Sequence, residues 1–362
     1  MRYTLLGPTG LRVSELALGT MTFGTDWGWG ADRETSQAIF DAYADAGGNF
    51  IDTSCNYTNG TSERFVGECI AGERDRYVVA TKYTLRFENG NPRNVNEGGN
   101  SRKALLRTVE GSLERLNTDY IDLLYLHMWD FTTPVEEFMR GVDDLIRAGK
   151  VLYAGFSDTP AWVVSRAVAL AEQHGWTKPA AVQFPYSLGS RDPERELLPM
   201  ARTLELSSCV WGVLKGGGLT GKYPDPEKAS ANDSDAAGDG EPRRYPRISA
   251  EVHTLAAEVQ QIAHELSEQH GERRTASQVA INWVRQQPSV IPILGARTVA
   301  QIEDNLGALA FTLSEAELSR LNHLSDFRRG FPLDFLTDDH VRGLIFGDTF
   351  SLIDNPRAVA GL

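Results

Sequence analysis

The chain has 362 residues, 41% of them hydrophobic, enough for one large α/β barrel or two ordinary domains. A formal net charge of −13 favours solubility and argues against nonspecific binding to nucleic acid or an anionic membrane. Cys55, Cys69 and Cys209 are too few for a disulfide framework, residues 1–7 carry no apolar signal region, and no run is long enough to cross a bilayer, so a cytosolic protein is expected.

Residues 3–14 read as a short hairpin turning at Pro8-Thr9-Gly10. Strand-like runs then follow at 16–19, 49–52, 77–82, 121–127, 152–157, 181–184, 208–212 and 290–294. Helical patterns lie between them at 34–46, 63–71, 102–116, 135–148, 161–174, 194–205 and 278–287. Thr132-Thr133-Pro134 and Asp158-Thr159-Pro160 have the form of helix entries, a capping residue ahead of proline. Eight strands alternating with helices predict a parallel sheet. Their even spacing favours an α/β fold closed into a (β/α)8 TIM barrel over residues 1–325. The aromatic tail at 326–362 is expected to pack on that barrel. Two polar stretches, 86–100 and 222–247, leave the third and seventh strands and should overhang the C-terminal rim, as lids or disordered segments.

Three successive strand-like runs deliver a charged or titratable residue at their C-terminal ends. Ile51-Asp52 ends the second, Thr81-Lys82 the third and Leu126-His127 the fourth, with Tyr57 in the loop just past Asp52. A parallel barrel releases such residues side by side at the rim where barrel enzymes do chemistry. Tyrosine, with a pKa of about 10, is a weak proton donor near neutrality, and a nearby ammonium stabilises its phenolate. Asp52 can hold that ammonium, on Lys82, while His127 bonds a substrate oxygen or relays its proton. The set suits protonation of a carbonyl oxygen during reduction, with Tyr57 as the acid. Taken singly, Asp52–Lys82 reads as a structural ion pair and Tyr57 as a loop anchor; their joint arrival at consecutive strand ends favours a site.

These motifs resemble the aldo/keto reductase superfamily. The resemblance runs from about Leu5 to Ser325 through Leu16-Ala17-Leu18-Gly19-Thr20-Met21, Ile51-Asp52-Thr53 to Tyr57, Gly60-Thr61-Ser62-Glu63, Ala80-Thr81-Lys82 and Tyr120-Ile121-Asp122-Leu123 to His127. It implies a (β/α)8 barrel that binds NADPH or NADP+ across its C-terminal mouth, with no metal. Gly19, Thr20, Met21 and Asp52 would then belong to the cofactor site, and Ser157 and Gln183 would hold the nicotinamide carboxamide. Asp158 stands where the family has Asn, so it can accept from that amide but not donate. Trp211 would stack on the nicotinamide ring.

In Gly216-Gly217-Gly218-Leu219-Thr220-Gly221-Lys222 the spacing mimics a phosphate loop, but Tyr223 replaces the Ser or Thr that would bind magnesium. As the family's loop after strand seven, its glycines would let amides approach a pyrophosphate, with Lys222 supplying charge. Gly212-Val213-Leu214 departs from the family's Ser-Pro-Leu at the start of that loop. Gly295-Ala296-Arg297-Thr298 opens a helix, and arginine at a helix N-terminus suits a ribose 2′-phosphate. By resemblance, Gln301, Asp304 and Asn305 would face the adenosine.

Trp27 and Trp29 after strand one, with Trp129 and Phe131 after His127, predict an aromatic pocket for an aldehyde, ketone or keto-sugar-like small molecule. Cys55 has no flanking basic residue and reads as an inert thiol. A rival is a cofactor-binding regulatory subunit with vestigial turnover, resembling the potassium-channel β subunits. Another is a barrel hydrolase with Asp52 as base, which leaves the Arg297 helix, the glycine loop and Trp211 without a role. No nucleic-acid or membrane partner is expected, and a homo-oligomer is compatible with the sequence.

Overall fold

Short, fully buried apolar runs set the architecture, because strands covered on both faces cannot alternate polar with apolar residues. The computed structural model describes residues 1–223 and 248–354. An antiparallel hairpin, β1 (Tyr3–Leu5) and β2 (Arg12–Ser14), comes first. The barrel strands are β3 (Ala17–Gly19), β4 (Phe50–Asp52), β5 (Val78–Tyr83), β6 (Ile121–Leu126), β7 (Val151–Ser157), β8 (Ala181–Pro185), β9 (Ser207–Trp211) and β10 (Val290–Gly295). All pair in parallel and in chain order, and β10 returns to β3 to close the cylinder, as expected from the sequence.

Side chains pointing inward, among them Ala17, Phe50, Val78, Leu123, Tyr125, Cys209 and Ile291, fill the cylinder. Leu6 and Val13 of the hairpin join them, so the hairpin plugs one end. Gly7 carries that plug: its φ is +54°, its N–H donates to Ser207 Oγ at 2.7 Å, and a Cβ there would lie 2.1 Å from the Ala180 carbonyl oxygen. Ala180 and Ser207 stand at the N-terminal ends of β8 and β9, so the plugged end is the N-terminal one and the C-terminal mouth stays open.

Helices α1 (Arg33–Asp45), α2 (Thr61–Ile70), α3 (Arg102–Leu116), α4 (Val135–Arg147), α5 (Ala161–His174) and α6 (Leu197–Thr203) cover the outside. The expected helix at 194–205 begins only at Leu197, which sets Pro199 in the first turn, where its missing N–H costs no intrahelical bond. Between β9 and β10 stand two helices, α7 (Ala250–His270) and α8 (Ala276–Arg285), where the sequence reading had one. The buried face of α7, Val252, Leu255, Ala256, Val259, Ile262, Ala263 and Leu266, has clear helical spacing. Then come α9 (Val299–Leu306), α10 (Glu315–Leu324), α11 (Leu333–Leu336) and α12 (Asp339–Phe346).

The stretch 86–100 is tied to the rim by named bonds. Asn100 donates from Nδ2 to the Met128 carbonyl at 3.0 Å and from its backbone N–H to Asp130 at 2.8 Å, while the Glu88 N–H reaches Asn59 Oδ1 at 3.1 Å. It thus overhangs the mouth beside Tyr57 and His127. The other expected rim loop, 222–247, lies outside the described residues from 224 on. At the start of the tail, Phe327 sits under the guanidinium groups of Arg191 and Arg195, at 5.7 and 5.4 Å from the ring centre. Further along, Phe331, Phe335, Leu336, Leu344 and Ile345 are exposed.

Candidate active site

Asp52 is the last residue of β4, Lys82 the penultimate residue of β5 and His127 the first after β6. Lys82 has no exposed surface, and Asp52 and His127 are buried. The ammonium spends its three donors on Asp52 Oδ1 at 2.5 Å, the Thr53 carbonyl at 2.8 Å and the Tyr57 hydroxyl oxygen at 3.3 Å. Burial works against its charge, yet Asp52 and Tyr57 outweigh burial and hold the Lys82 pKa above the ordinary lysine range. The second Asp52 oxygen accepts from Gln183 Nε2 at 2.8 Å. The pair is therefore fully hydrogen-bonded, the condition under which a buried ion pair is tolerated.

Tyr57 is delivered by a tight loop. Thr58 and Asn59 adopt left-handed backbone, φ 45° and 53°, which is costly for Thr. The Thr58 hydroxyl offsets that cost, donating to the Phe23 carbonyl at 2.6 Å and accepting from the Ser62 N–H at 3.1 Å. Gly24 leaves room for it, since a Cβ there would come within 2.7 Å of Thr58 Oγ1. The Tyr57 ring is flanked by His127, 5.9 Å away at 79°, and by Trp27, 6.5 Å away at 76°. Burial first, then the Lys82 charge, hold His127 well below the ordinary histidine range, so it is neutral near pH 7.

Ser157 ends β7 opposite Gln183 of β8, Asp158 follows it, and Trp211 ends β9, the next strand round. The Trp211 indole N–H points at Asp158 Oδ1 at 3.4 Å, and Asp158 has a positive φ of 40°. Burial pushes its carboxyl up to about 6, against the Trp211 bond and the Lys82 charge. A carboxyl that holds its proton more tightly folded than unfolded favours the fold fully below its unfolded pKa, about 3.9, and this stabilisation is lost as pH rises through its folded value. Asp158→Asn, a residue that also tolerates positive φ, should therefore be more stable than the parent by about 1–3 kcal/mol at about pH 8. That gain should shrink as pH falls towards about 4.5, read as denaturation midpoints at the two values. An advantage that is the same at both would show that the Asp158 charge is not buried at cost.

Beside this cluster opens a cavity of about 410 Å³ lined by Gly212, Leu214, Gly216, Lys222, Gly295, Arg297, Gln301, Asp304 and Asn305, all named from the sequence. Thr22, Ser277 and Tyr223 line it as well; Tyr223 directly follows the glycine loop, whereas Thr22 and Ser277, small polar residues outside the quoted motifs, gave no signal. Gly212, Gly216 and Gly217 have φ of 70°, 64° and 89°, and no atom lies within 4 Å of where a Cβ would stand at Gly212. Such backbone exposes its amides in a concave turn suited to an anion. Across the cavity α9 begins, with the Thr298 side chain capping its first turn and Arg297 just ahead. Lys222, Arg297 and this helix end suit a phosphorylated ligand, so the residues present fit an extended dinucleotide.

The adenosine-side residues are also busy locally. Gln301 Oε1 accepts from the Arg297 N–H at 2.8 Å, Asp304 takes bonds from Thr275 at 3.1 Å and Gln278 at 3.2 Å, and Asn305 reaches the Gly295 carbonyl at 3.4 Å. Gly19, Thr20 and Met21 stand outside the lining. Gly19 lets β3 approach β10, where a Cβ would meet Ile293 Cγ2 at 2.8 Å, and the Thr20 hydroxyl holds the Asp52 carbonyl at 3.0 Å. Of the aromatic residues expected around a substrate, Trp27 faces Tyr57, Trp129 packs on Phe131 at 6.5 Å, and Trp29 lines the glycine-loop cavity. The Cys55 thiol is buried and pushed up to about 12 by that burial, in keeping with an inert role.

An eight-stranded barrel with an ion-paired lysine, a tyrosine and a neutral histidine at its open mouth has the form of a barrel enzyme. The chain belongs to the aldo/keto reductase family, whose members are NADP-dependent oxidoreductases; the family model matches residues 15–326. It is 38% identical to a norsolorinic acid reductase of Aspergillus flavus, over 98% of this chain and 89% of that protein. It is 37% identical to an NADP(+) aryl-alcohol dehydrogenase of Phanerodontia chrysosporium, over 96% of this chain and 89% of that protein. Norsolorinic acid reductase B of Dothistroma septosporum is also 37% identical, over 93% of this chain and 85% of its own length.

Proposed function

We propose that the protein reduces an aromatic aldehyde or ketone to the alcohol with NADPH, and that Tyr57 gives the carbonyl oxygen its proton. The observation that carries this reading is the Tyr57 hydroxyl 3.3 Å from an ammonium that is itself buried and paired with Asp52. NADPH, when bound, supplies the hydride that the carbonyl carbon accepts. Tyr57 releases its proton to the oxygen as negative charge gathers there, and Lys82 stabilises the phenolate left behind. Asp52 and the Thr53 carbonyl keep Lys82 from turning away. Trp27 and Trp129 give an aromatic substrate apolar surface and exclude water, in line with relatives named for aryl alcohols. Gln183 and Ser157 would hold the nicotinamide amide and Trp211 its ring, while Lys222 and the glycine loop would take the pyrophosphate.

Arg297 would take the 2′-phosphate. Losing a charge-assisted bond costs about 1.5–3 kcal/mol, so Arg297→Ala should raise KM for NADPH about ten- to a hundredfold and leave KM for NADH nearly unchanged. Equal losses for both cofactors would remove Arg297 from the phosphate site. The function as a whole is tested by mixing protein and NADPH with aromatic and aliphatic aldehydes and ketones and keto-sugars, followed at the nicotinamide absorbance band. The expected result is fastest consumption with aromatic compounds. Tight NADPH binding without consumption of any carbonyl would favour the regulatory alternative.

A further inference from the structure

Carbonyl reduction by a nicotinamide moves a charge as well as a bond. The hydride leaves the ring with both electrons and bonds the carbonyl carbon, the carbonyl oxygen takes a proton from Tyr57, and the ring is left positive. A group facing the ring meets a neutral partner before the transfer and a cation after it. Asp158 stands at the place this concerns, and its backbone is held from both sides. Its N–H donates to the Gln183 carbonyl at 3.0 Å, and its carbonyl accepts from the Trp129 N–H at 3.4 Å. Asp158 Oδ1 takes the Trp211 indole N–H, which leaves Oδ2 with no hydrogen-bond partner among the described residues. On the neighbouring strand Gln183 turns Nε2 to the Asp52 carboxylate, which only accepts, so Oε1 is the atom Gln183 has left over. Asp158 Oδ2 and Gln183 Oε1 are thus two acceptors on adjacent strand ends, matching the two donors of a primary amide.

We infer that Asp158, as a carboxylate, is the counter-charge to the nicotinamide cation, so that this site binds NADP+ more tightly than NADPH and makes bound NADPH a stronger hydride donor than the same site with asparagine would. The inference rests on the proposed place of the carboxamide between Asp158 and Gln183. The amide is bonded directly to the ring, so a carboxylate that accepts from it stands close to the ring's charge. A fixed anion where positive charge develops stabilises the transition state for hydride departure. By linkage, tighter binding of the oxidised form is the same free energy as stronger donation by the bound reduced form. Nothing nearby cancels the Asp158 charge. The ionic group that acts on it is Lys82 of β5, which Asp52 of β4 already pairs; His127 after β6 is neutral, and β8 and β9 present Gln183 and Trp211. Asparagine would make the same contact without the charge and without its cost to the fold, which is the trade expected of a group kept for function.

Equilibrium binding tests this on the full chain without turnover. NADP+ and NADPH are titrated separately into the parent and Asp158→Asn by calorimetry, and the Kd for NADPH is divided by that for NADP+. The 2′-phosphate is common to both forms and its titration cancels in this ratio. At about pH 8.5 the ratio should be about five- to thirtyfold larger in the parent than in Asp158→Asn, the size of one charge pair partly shielded from water. Burial raises the Asp158 carboxyl to about 6, so the charge is present above that value and is lost as pH falls through it. Between about pH 8.5 and about pH 5.5 the parent ratio should therefore drop about three- to tenfold, while the Asp158→Asn ratio stays nearly flat. A parent ratio that does not change with pH, or one equal to that of Asp158→Asn, overturns the proposal and leaves carbonyl reduction standing. Binding of neither form by the parent counts against the cofactor site itself, and the inference falls with it.

Discussion

Tyr57→Phe should lower kcat for carbonyl reduction about a hundred- to ten-thousandfold, the range spanned by loss of a general acid, while NADPH affinity stays within about a factor of two. The substitution keeps the ring that packs edge-on against Trp27 and His127 and deletes only the hydroxyl. Lys82 keeps its bonds to Asp52 and Thr53, so the cation remains in place with no acid to activate. The glycine-loop cavity does not include Tyr57, which is why cofactor affinity should survive. Titration of NADPH by protein fluorescence and single-turnover absorbance separate the two effects. A large loss of affinity would recast Tyr57 as a structural anchor of its loop.

Lys82→Met should remove activity and also destabilise the fold by about 3–5 kcal/mol, because it strands the buried Asp52 carboxylate with Gln183 as its remaining side-chain partner. Chemical denaturation reads this loss directly. The double variant Asp52→Asn with Lys82→Met removes both charges together and should recover most of the stability. It should remain as inactive as Lys82→Met, since no cation is left to stabilise the phenolate. A double variant that regains turnover would mean that the ion pair is structural and that reduction does not run through it.

The barrel and three of its rim residues were legible because each rests on a local pattern. Buried runs at 49–52, 77–82 and 121–127 end in Asp52, Lys82 and His127, and a parallel barrel brings such ends to one rim. Arg297 and the glycine loop were legible for the same reason, as a helix start and a cluster of residues permissive of positive φ. What escaped depends on side chains meeting across space. Ser54 and Asn56 lie inside the segment that identifies the site, yet nothing local says that the Ser54 hydroxyl meets both His127 and Asn56. Trp29 reads from sequence as one of a pair with Trp27, and the two rings do meet, 5.7 Å apart, but Trp29 also lines the cofactor-sized cavity while Trp27 faces Tyr57. The second helix before β10 is visible in the spacing of Val252, Leu255, Val259 and Ile262 once α7 is seen, although a plain βα repeat has no place for it.

The central claim is direct reduction of a carbonyl carbon at this mouth, with the proton coming from Tyr57. Its most direct test is to incubate the protein with an aromatic aldehyde and NADPH carrying deuterium at the transferable position of the nicotinamide, then to analyse the product by mass spectrometry. The account predicts an alcohol with one deuterium on its carbinol carbon, formed in step with cofactor consumption and lost with Tyr57→Phe. Alcohol without the label, or the same labelled alcohol at an undiminished rate from Tyr57→Phe, would contradict it.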